Sequence, residues 1–257
     1  MKNLVSKVLS VALIGAMGLA FAGCSTGSKK LTVEDGKLIM ATNAFFPPYE
    51  FYEGDRIVGI DQEIASEVAT RLGLELEIQD VEFDSIITGV QANKYDIGCA
   101  GMTITEDRLQ SVNFTTPYAT GIQVIIVKED STIADADALI GGEFTIGVQQ
   151  GTTGDIYMTD DVGDARIERF NKGADAVLAL TNGQVDAVVI DNEPAKAFVE
   201  ANAGLKILDT PYTEEAYAMC LNKDNEELLK KINDVLKAMT DDGTIASIIE
   251  EYIPSNG

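Results

Sequence analysis

The chain has 257 residues, with 42 acidic against 19 basic side chains, a net charge of −23 and no histidine. So acidic a surface repels nucleic acid, whose binding needs a basic face, and favours solubility. The missing histidine removes the usual general base of serine and cysteine nucleophile systems but does not exclude carboxylate or lysine chemistry.

The chain starts with Lys2 and Lys7, an apolar run at 8–22, and Gly23-Cys24. A basic start, a short apolar core and small residues before a cut site describe a secretory signal over 1–23. The run falls short of the roughly 20 residues that a membrane span needs. Cys24 resembles the acceptor of a bacterial lipobox, although Phe21 stands where that pattern usually has leucine. Lipid on Cys24 would hold the protein at a membrane surface, and residues 24–30 would then be a polar tether. Removing the signal takes away two lysines and no acid. The other cysteines, Cys99 and Cys220, sit in apolar strand-like runs and read as buried free thiols rather than a disulfide. Two thiols without histidine make a poor zinc site, so no metal or cofactor is expected.

Beyond the tether, short apolar strands alternate with amphipathic helices. Residues 38–42 read as a strand. Asp61 can cap a helix carrying Ile64, Ala65, Val68, Ala69 and Leu72 on one face, which Gly73 ends. Strands follow at 74–78 and 96–102, with a short helix starting at Asp84 between them. This βαβαβ order is the signature of an α/β sheet with helical crossovers. A second unit has strands at 122–127, 144–149, 166–170, 187–191 and 206–209, with 129–142 as a loop or poor helix. Thr153 can cap its first helix; two more follow at 174–182 and 194–201, with Pro194 suited to a first helical turn. A strand at 216–222, a long amphipathic helix at 225–239 and a last helix capped by Thr244 complete the pattern. Two α/β units without a proline- or glycine-rich linker suggest two lobes joined by strands that double as hinges.

Four segments carry chemistry. A-G-M-T-I-T-E-D-R at 100–108 puts a small-residue turn, two hydroxyls and Arg108 directly after a strand. Arginine fits a carboxylate with two hydrogen bonds, Thr103 adds a hydroxyl, and Gly101 allows close approach to the main chain. Taken alone, the segment also fits a capped turn with a surface arginine. Q-G-T-T-G at 150–154 opens a helix whose free N–H groups and dipole favour an anion, but it has neither the P-loop ending nor G-x-G-x-x-G spacing; Thr153 equally fits a plain cap. Asp191 ends the strand A-V-V-I-D, where an α/β fold points side chains into its ligand crevice; it suits an ammonium group or, equally, caps the next helix. Phe46 and Phe83 near strand ends could clamp an aliphatic stem or belong to the core.

Together these residues, with A-T-N-A-F-F-P-P-Y-E-F (41–51), G-I-D-Q-E-I-A (59–65), F-D-S-I-I (83–87), G-V-Q-Q-G-T-T-G (147–154) and D-A-V-V-I-D (186–191), resemble the family 3 extracellular solute-binding proteins of polar amino-acid ABC importers. In pattern, the glutamine and lysine/arginine/ornithine binders are nearest. The resemblance spans about 38–253. It implies an α/β, two-lobe periplasmic-binding-protein-like (type II) fold with two crossing hinge strands, near 118–122 and 215–219. One lobe would comprise 31–119 with 217–257, the other 120–216. It places Arg108 and the Thr153 N–H on a ligand α-carboxylate, and Asp191, the Gly101 carbonyl and Thr103 on its α-ammonium. Phe46 and Phe83 would sandwich the ligand's side chain. Asn43 stands where many relatives carry an aspartate, and Gln149 where glutamine binders have a lysine. Both are neutral amides, and a buried cation without counter-charge is costly. The expected ligand is therefore an amino acid with a neutral polar side chain, such as glutamine, then cystine. The expected partners are that amino acid and an ABC permease, with the protein acting as a monomer on the outer face of the cell membrane. Two alternatives remain: a cyclohexadienyl-dehydratase-like enzyme using Glu50 or Glu193, and a sensory ligand-binding protein, which would need a separate signalling partner.

Overall fold

The computed structural model describes residues 30–209 and 211–254. The expected signal, Cys24 and nearly all of the tether lie outside them. Among the described residues no helix is long and apolar enough to cross a membrane.

Strand β1 (Lys37–Thr42) is buried along almost its whole length because parallel neighbours flank it on both sides. A separate three-stranded sheet follows, β2 (Phe45–Phe46), β3 (Glu50–Glu53) and β4 (Arg56–Val58). Helix α1 (Ile60–Leu72) buries Ile64, Ala65, Val68 and Ala69, and Gly73 closes it at φ 71°. The cap residue is Gly59, not Asp61. Asp61 lies inside the first turn, wholly buried, and its Oδ2 accepts the Gly101 N–H at 2.6 Å. A buried N–H must find an acceptor, and this carboxylate answers that need in place of its own helix end.

Strand β5 (Glu75–Asp80) runs parallel to β1. A single 3₁₀ turn at Phe83–Ser85 leads into α2 (Ile86–Gln91). Strand β6 is only Ile97–Gly98, far shorter than the apolar run that encodes it. The chain then curls at Gly101, φ 51°, where a Cβ would come within 2.9 Å of the Phe46 ring. Helix α3 (Glu106–Ser111) and β7 (Val112–Phe114) follow.

Strand β8 (Ala119–Lys128) carries the chain into a second sheet. There α4 (Ala136–Gly141), capped by Asp135, forms within the stretch expected to be loop or poor helix. Next come β9 (Ile146–Gln149), α5 (Thr153–Val162), β10 (Ile167–Phe170), α6 (Gly173–Thr181), β11 (Ala187–Asp191), α7 (Asn192–Ala201) and β12 (Leu205–Ile207). Pro194 is the third residue of α7 rather than its first. The expected strand at 216–222 is two strands, β13 (Thr213–Tyr217) and β14 (Cys220–Asn222). Helix α8 (Glu226–Asp241) buries Leu228, Ile232, Leu236 and Met239, and α9 (Thr244–Tyr252) starts at Gly243, with Thr244 as its first residue.

The first sheet has the order β5-β1-β6-β14-β7; the second has β10-β9-β11-β8-β12, with β13 also paired to β8. Strand β8 leads out of the first unit and β13 leads back, antiparallel, with Gln123 opposite Thr213 and Ala119 opposite Tyr217. These are the two crossing strands. Cys99 and Cys220 are free and buried, and they pack into different apolar clusters.

Candidate functional site

The ends of β1, β9 and β11, the turn after β6, and the start of α5 converge on one pocket between the two sheets. Its walls are Asn43, Phe46, Glu50, Phe83, Ala100, Gly101, Thr103, Arg108, Gln149, Thr152, Thr153 and Asp191, around an empty volume of about 310 Å³. All nine residues singled out from sequence therefore line this pocket. The two sides also touch directly. Gln149 Nε2 donates to Asn43 Oδ1 at 3.0 Å, and Arg108 Nη2 donates to the Gly151 carbonyl at 3.0 Å. Outside the pocket, Gln150 Nε2 donates to Asp84 Oδ2 at 2.6 Å, and Lys172 Nζ lies 3.5 Å from the Phe45 ring centroid. The cleft is closed.

Arg108 is buried, and Thr105 caps its helix by accepting the Arg108 N–H. Nη1 donates to the Thr103 carbonyl at 2.8 Å, so the guanidinium holds its own loop while facing the Phe83 ring, 5.5 Å away. Burial lowers its pKa, and the nearby charge of Glu215 opposes that. The cap of α5 is Thr152, whose Oγ1 accepts the Asp155 N–H; Thr153 is the first helical residue instead. In that position its own N–H has no intrahelical partner. Asp155 accepts the Gly151 N–H at 3.0 Å and the Arg169 Nε at 2.8 Å, which fixes the loop before α5. On the facing side Asp80 accepts the Ala44 N–H at 3.0 Å, and Asn43 Nδ2 donates to the Val81 carbonyl at 2.8 Å.

Asp191 occupies the cap position of α7 but makes no side-chain cap bond. Its Oδ2 instead accepts Gln123 Nε2 at 2.8 Å, and the same nitrogen donates to Glu215 Oε2 at 2.9 Å. Burial, followed by the charge of Glu215, pushes the Asp191 carboxyl well above the usual range. A second acid pair, Glu50 and Asp61, lies against Gly101. Burial and the neighbouring Asp61 charge hold Glu50 well up, and burial raises Asp61 to about 6 despite the Gly101 N–H. Glu193, the other acid of the enzyme alternative, does not line the pocket and is tied to Lys196 at 2.6 Å.

Gln123, Glu215, Asp61 and Thr152 had no assigned part in the site from sequence, and Glu50 figured only as an enzyme's acid. Gln123 had a signal: it is a polar side chain within the apolar run of β8, and it is buried. Glu215 has the same signature in β13.

Relatives match this arrangement over nearly the whole chain. The arginine-binding extracellular protein ArtP of Bacillus subtilis is 34% identical over 248 residues, covering 93% of this chain and 96% of its own. An ancestral arginine-binding protein, solved bound to glutamine, superposes with TM-score 0.80 at 36% identity, covering 86% of this chain and 99% of its own. An ancestral arginine-binding protein solved bound to arginine gives TM-score 0.79 at 37% identity, covering 85% of this chain and 98% of its own. The family described as bacterial extracellular solute-binding proteins, family 3, matches residues 38–255, and the chain belongs to that family.

Proposed function

We propose that this protein is the extracytoplasmic amino-acid-binding component of an ABC importer, closing its two lobes around a zwitterion with a polar side chain. The observation that carries the reading is the convergence of a buried guanidinium, Arg108, and a buried carboxylate, Asp191, from opposite sides onto one closed pocket. Arg108 and the Thr153 N–H take the α-carboxylate. Asp191, the Gly101 carbonyl and the Thr103 hydroxyl take the α-ammonium. Phe46 and Phe83 hold the stem, and Asn43 and Gln149 read the distal group. A ligand touching both sides at once stabilises the closed state by its differential affinity for it. Residues 31–119 with 217–257 form one lobe and 120–216 the other. The mature chain is a monomer anchored by lipid on Cys24, delivering its ligand to a membrane permease.

The amides Asn43 and Gln149 support a neutral side chain, with glutamine first and cystine next. A second reading is favoured by the relatives named for arginine. A guanidinium can stack on aromatic faces and donate to amide oxygens. Calorimetric titration with L-glutamine, L-arginine and L-cystine, each competed against the others, decides between them. The importer reading expects micromolar or tighter binding of one of them, about −8 kcal/mol or better. No heat and no thermal shift with any common amino acid would refute it. Turnover of prephenate or arogenate would favour the enzyme alternative, to which the relatives lend no support.

A further inference from the structure

Glu215 stands next to the pocket without lining it. It is 6% exposed, on the returning crossing strand β13. Thr103 pairs with Tyr217 of the same strand, which brings the two side chains together. The Thr103 Oγ1 hydroxyl donates to Glu215 Oε2 at 3.0 Å. A hydroxyl has one hydrogen and two lone pairs. With its hydrogen committed to Glu215, Thr103 presents only acceptor capacity to the pocket. Gln123 Nε2 has two hydrogens, which serve Asp191 at 2.8 Å and Glu215 at 2.9 Å; its contact to Thr153 Oγ1 is longer, 3.4 Å. Asp191 Oδ1 and Glu215 Oε1 are buried and have no hydrogen-bond partner.

Building on the binding reading above, we infer that Glu215 is a positioning residue for the ammonium end of the ligand: by taking the Thr103 hydrogen it turns that hydroxyl into an obligate acceptor, selecting ligands that carry an α-ammonium. The assignment follows from topology. β8 supplies Gln123, β13 supplies Glu215, and both are crossing strands, so the ammonium end is built on the segments that join the lobes. Tyr157 faces Glu215 from α5, and burial together with the Glu215 charge holds its hydroxyl above the usual phenol range. Glu215 thus accepts from Thr103 in the turn after β6 and from Gln123 on β8, which fix its Oε2 in place.

The test compares two ligands that differ only at the α-position. L-glutamine and L-arginine are titrated calorimetrically into the protein alongside their α-hydroxy analogues. Glu215→Met is expected to lower the affinity for the amino acid about tenfold or more while changing that for its α-hydroxy analogue less than about threefold, since hydrogen bonds to charged groups are the strong ones. In a Thr103→Val background the same substitution should leave the ratio within about threefold. Equal losses for both ligands would mean a merely structural role and overturn the proposal. So would an equal loss of ratio with and without the Thr103 hydroxyl, which would reduce Glu215 to a distant charge. Should Glu215→Met not fold, Glu215→Gln keeps an acceptor oxygen and must hold the ratio within about threefold; a collapse there overturns the proposal as well. If the wild type binds no common amino acid, the binding reading fails first, and this inference with it.

Discussion

Two buried acid pairs flank the same pocket, and they meet the cost of burial with different partners. Glu50 and Asp61 act on each other directly: burial and the Asp61 charge hold Glu50 well above the usual carboxylate range, Asp61, raised to about 6, keeps the Gly101 N–H, and Glu50 Oε2 and Asp61 Oδ1 have no other hydrogen-bond partner. Asp191 and Glu215 do not bond each other. A neutral amide, Gln123, sits between them, and each keeps one oxygen without a partner. Burying a carboxylate is expensive unless a proton, a hydrogen bond or a counter-charge compensates. The first pair is offset by a backbone N–H and by the shift of Glu50 toward its neutral form, and it sits under the Gly101 turn. The second is bridged by an amide, and Asp191, the member of that pair that lines the pocket, offers an unpartnered oxygen to an arriving cationic group.

The strongest way to break this contrast is to remove the guanidinium that balances the second pair. Arg108→Ala leaves an α-carboxylate without its partner and removes a guanidinium whose charge acts on both Asp191 and Glu215. The expected loss is on the order of 2–5 kcal/mol of binding free energy, a decrease in affinity of tens-fold or more. Titration calorimetry reads it directly, and unchanged affinity would remove Arg108 from the site.

Asp191→Asn sharpens the contrast on the other side. Hydrogen bonds to a charged group contribute about 1.5–3 kcal/mol, so affinity should fall roughly tenfold to a hundredfold. The wild-type pH profile carries a sign. The Asp191 carboxyl is raised by burial and by Glu215, and an ammonium group binds its ionised form. Affinity therefore rises with pH as Asp191 ionises and levels off once it has. Asp191→Asn should flatten that rise; a profile equally steep in the variant would place the titrating group elsewhere.

The first pair governs stability rather than affinity for the ammonium. Its folded-state pKa values are raised, so its contribution is fully present below the ordinary carboxylate range and is lost as pH rises. For Asp61 the window runs from its ordinary value of 3.8 up to about 6. A shift of this size corresponds to roughly 3 kcal/mol at most. Glu50→Gln removes the raised carboxyl and leaves an amide N–H in its place, so the part of the slope that belongs to Glu50 should disappear while the Asp61 window remains. The difference in Tm between variant and wild type, followed from pH 4 to pH 7, should grow in the variant's favour by several degrees. A constant difference would show that Glu50 does not titrate over this range.

These pairs also mark where sequence reading stops. Arg108 and Asp191 are legible because each ends a recognisable strand or opens a turn, and in an α/β fold such positions face the crevice. Thr153 is legible to within one residue: the T-T doublet in Q-G-T-T-G leaves open which threonine caps the helix, and the cap falls to Thr152. Gln123 and Glu215 are not legible as partners. Each reads as a polar interruption of a strand, and their meeting depends on β8 pairing with β13 across a wide stretch of chain. Asp61 misleads for the opposite reason, since an aspartate at a helix start reads as a cap until a distant N–H claims it. The strand expected at 96–102 fails at Gly101 because the turn that builds the pocket needs a positive φ.

The weakest expected effect lies outside the pocket and separates closure from recognition. Gln150 reaches across the cleft to Asp84 at 2.6 Å, and no ligand group is needed to make that bond. Both side chains reach solvent, so their net contribution is at the low end for a hydrogen bond, about 0.5 kcal/mol. Because the bond exists only when the cleft is shut, all of that small energy bears on the open–closed equilibrium. Asp84→Ala should weaken every ligand by the same factor of about two, whatever its side chain or α-substituent. Substitutions at the acid pair beside Gln123 should change the ranking of ligands instead. A calorimetric panel in which Asp84→Ala reorders the ligands would show that the latch takes part in recognition, and the division between the two functions would have to be redrawn.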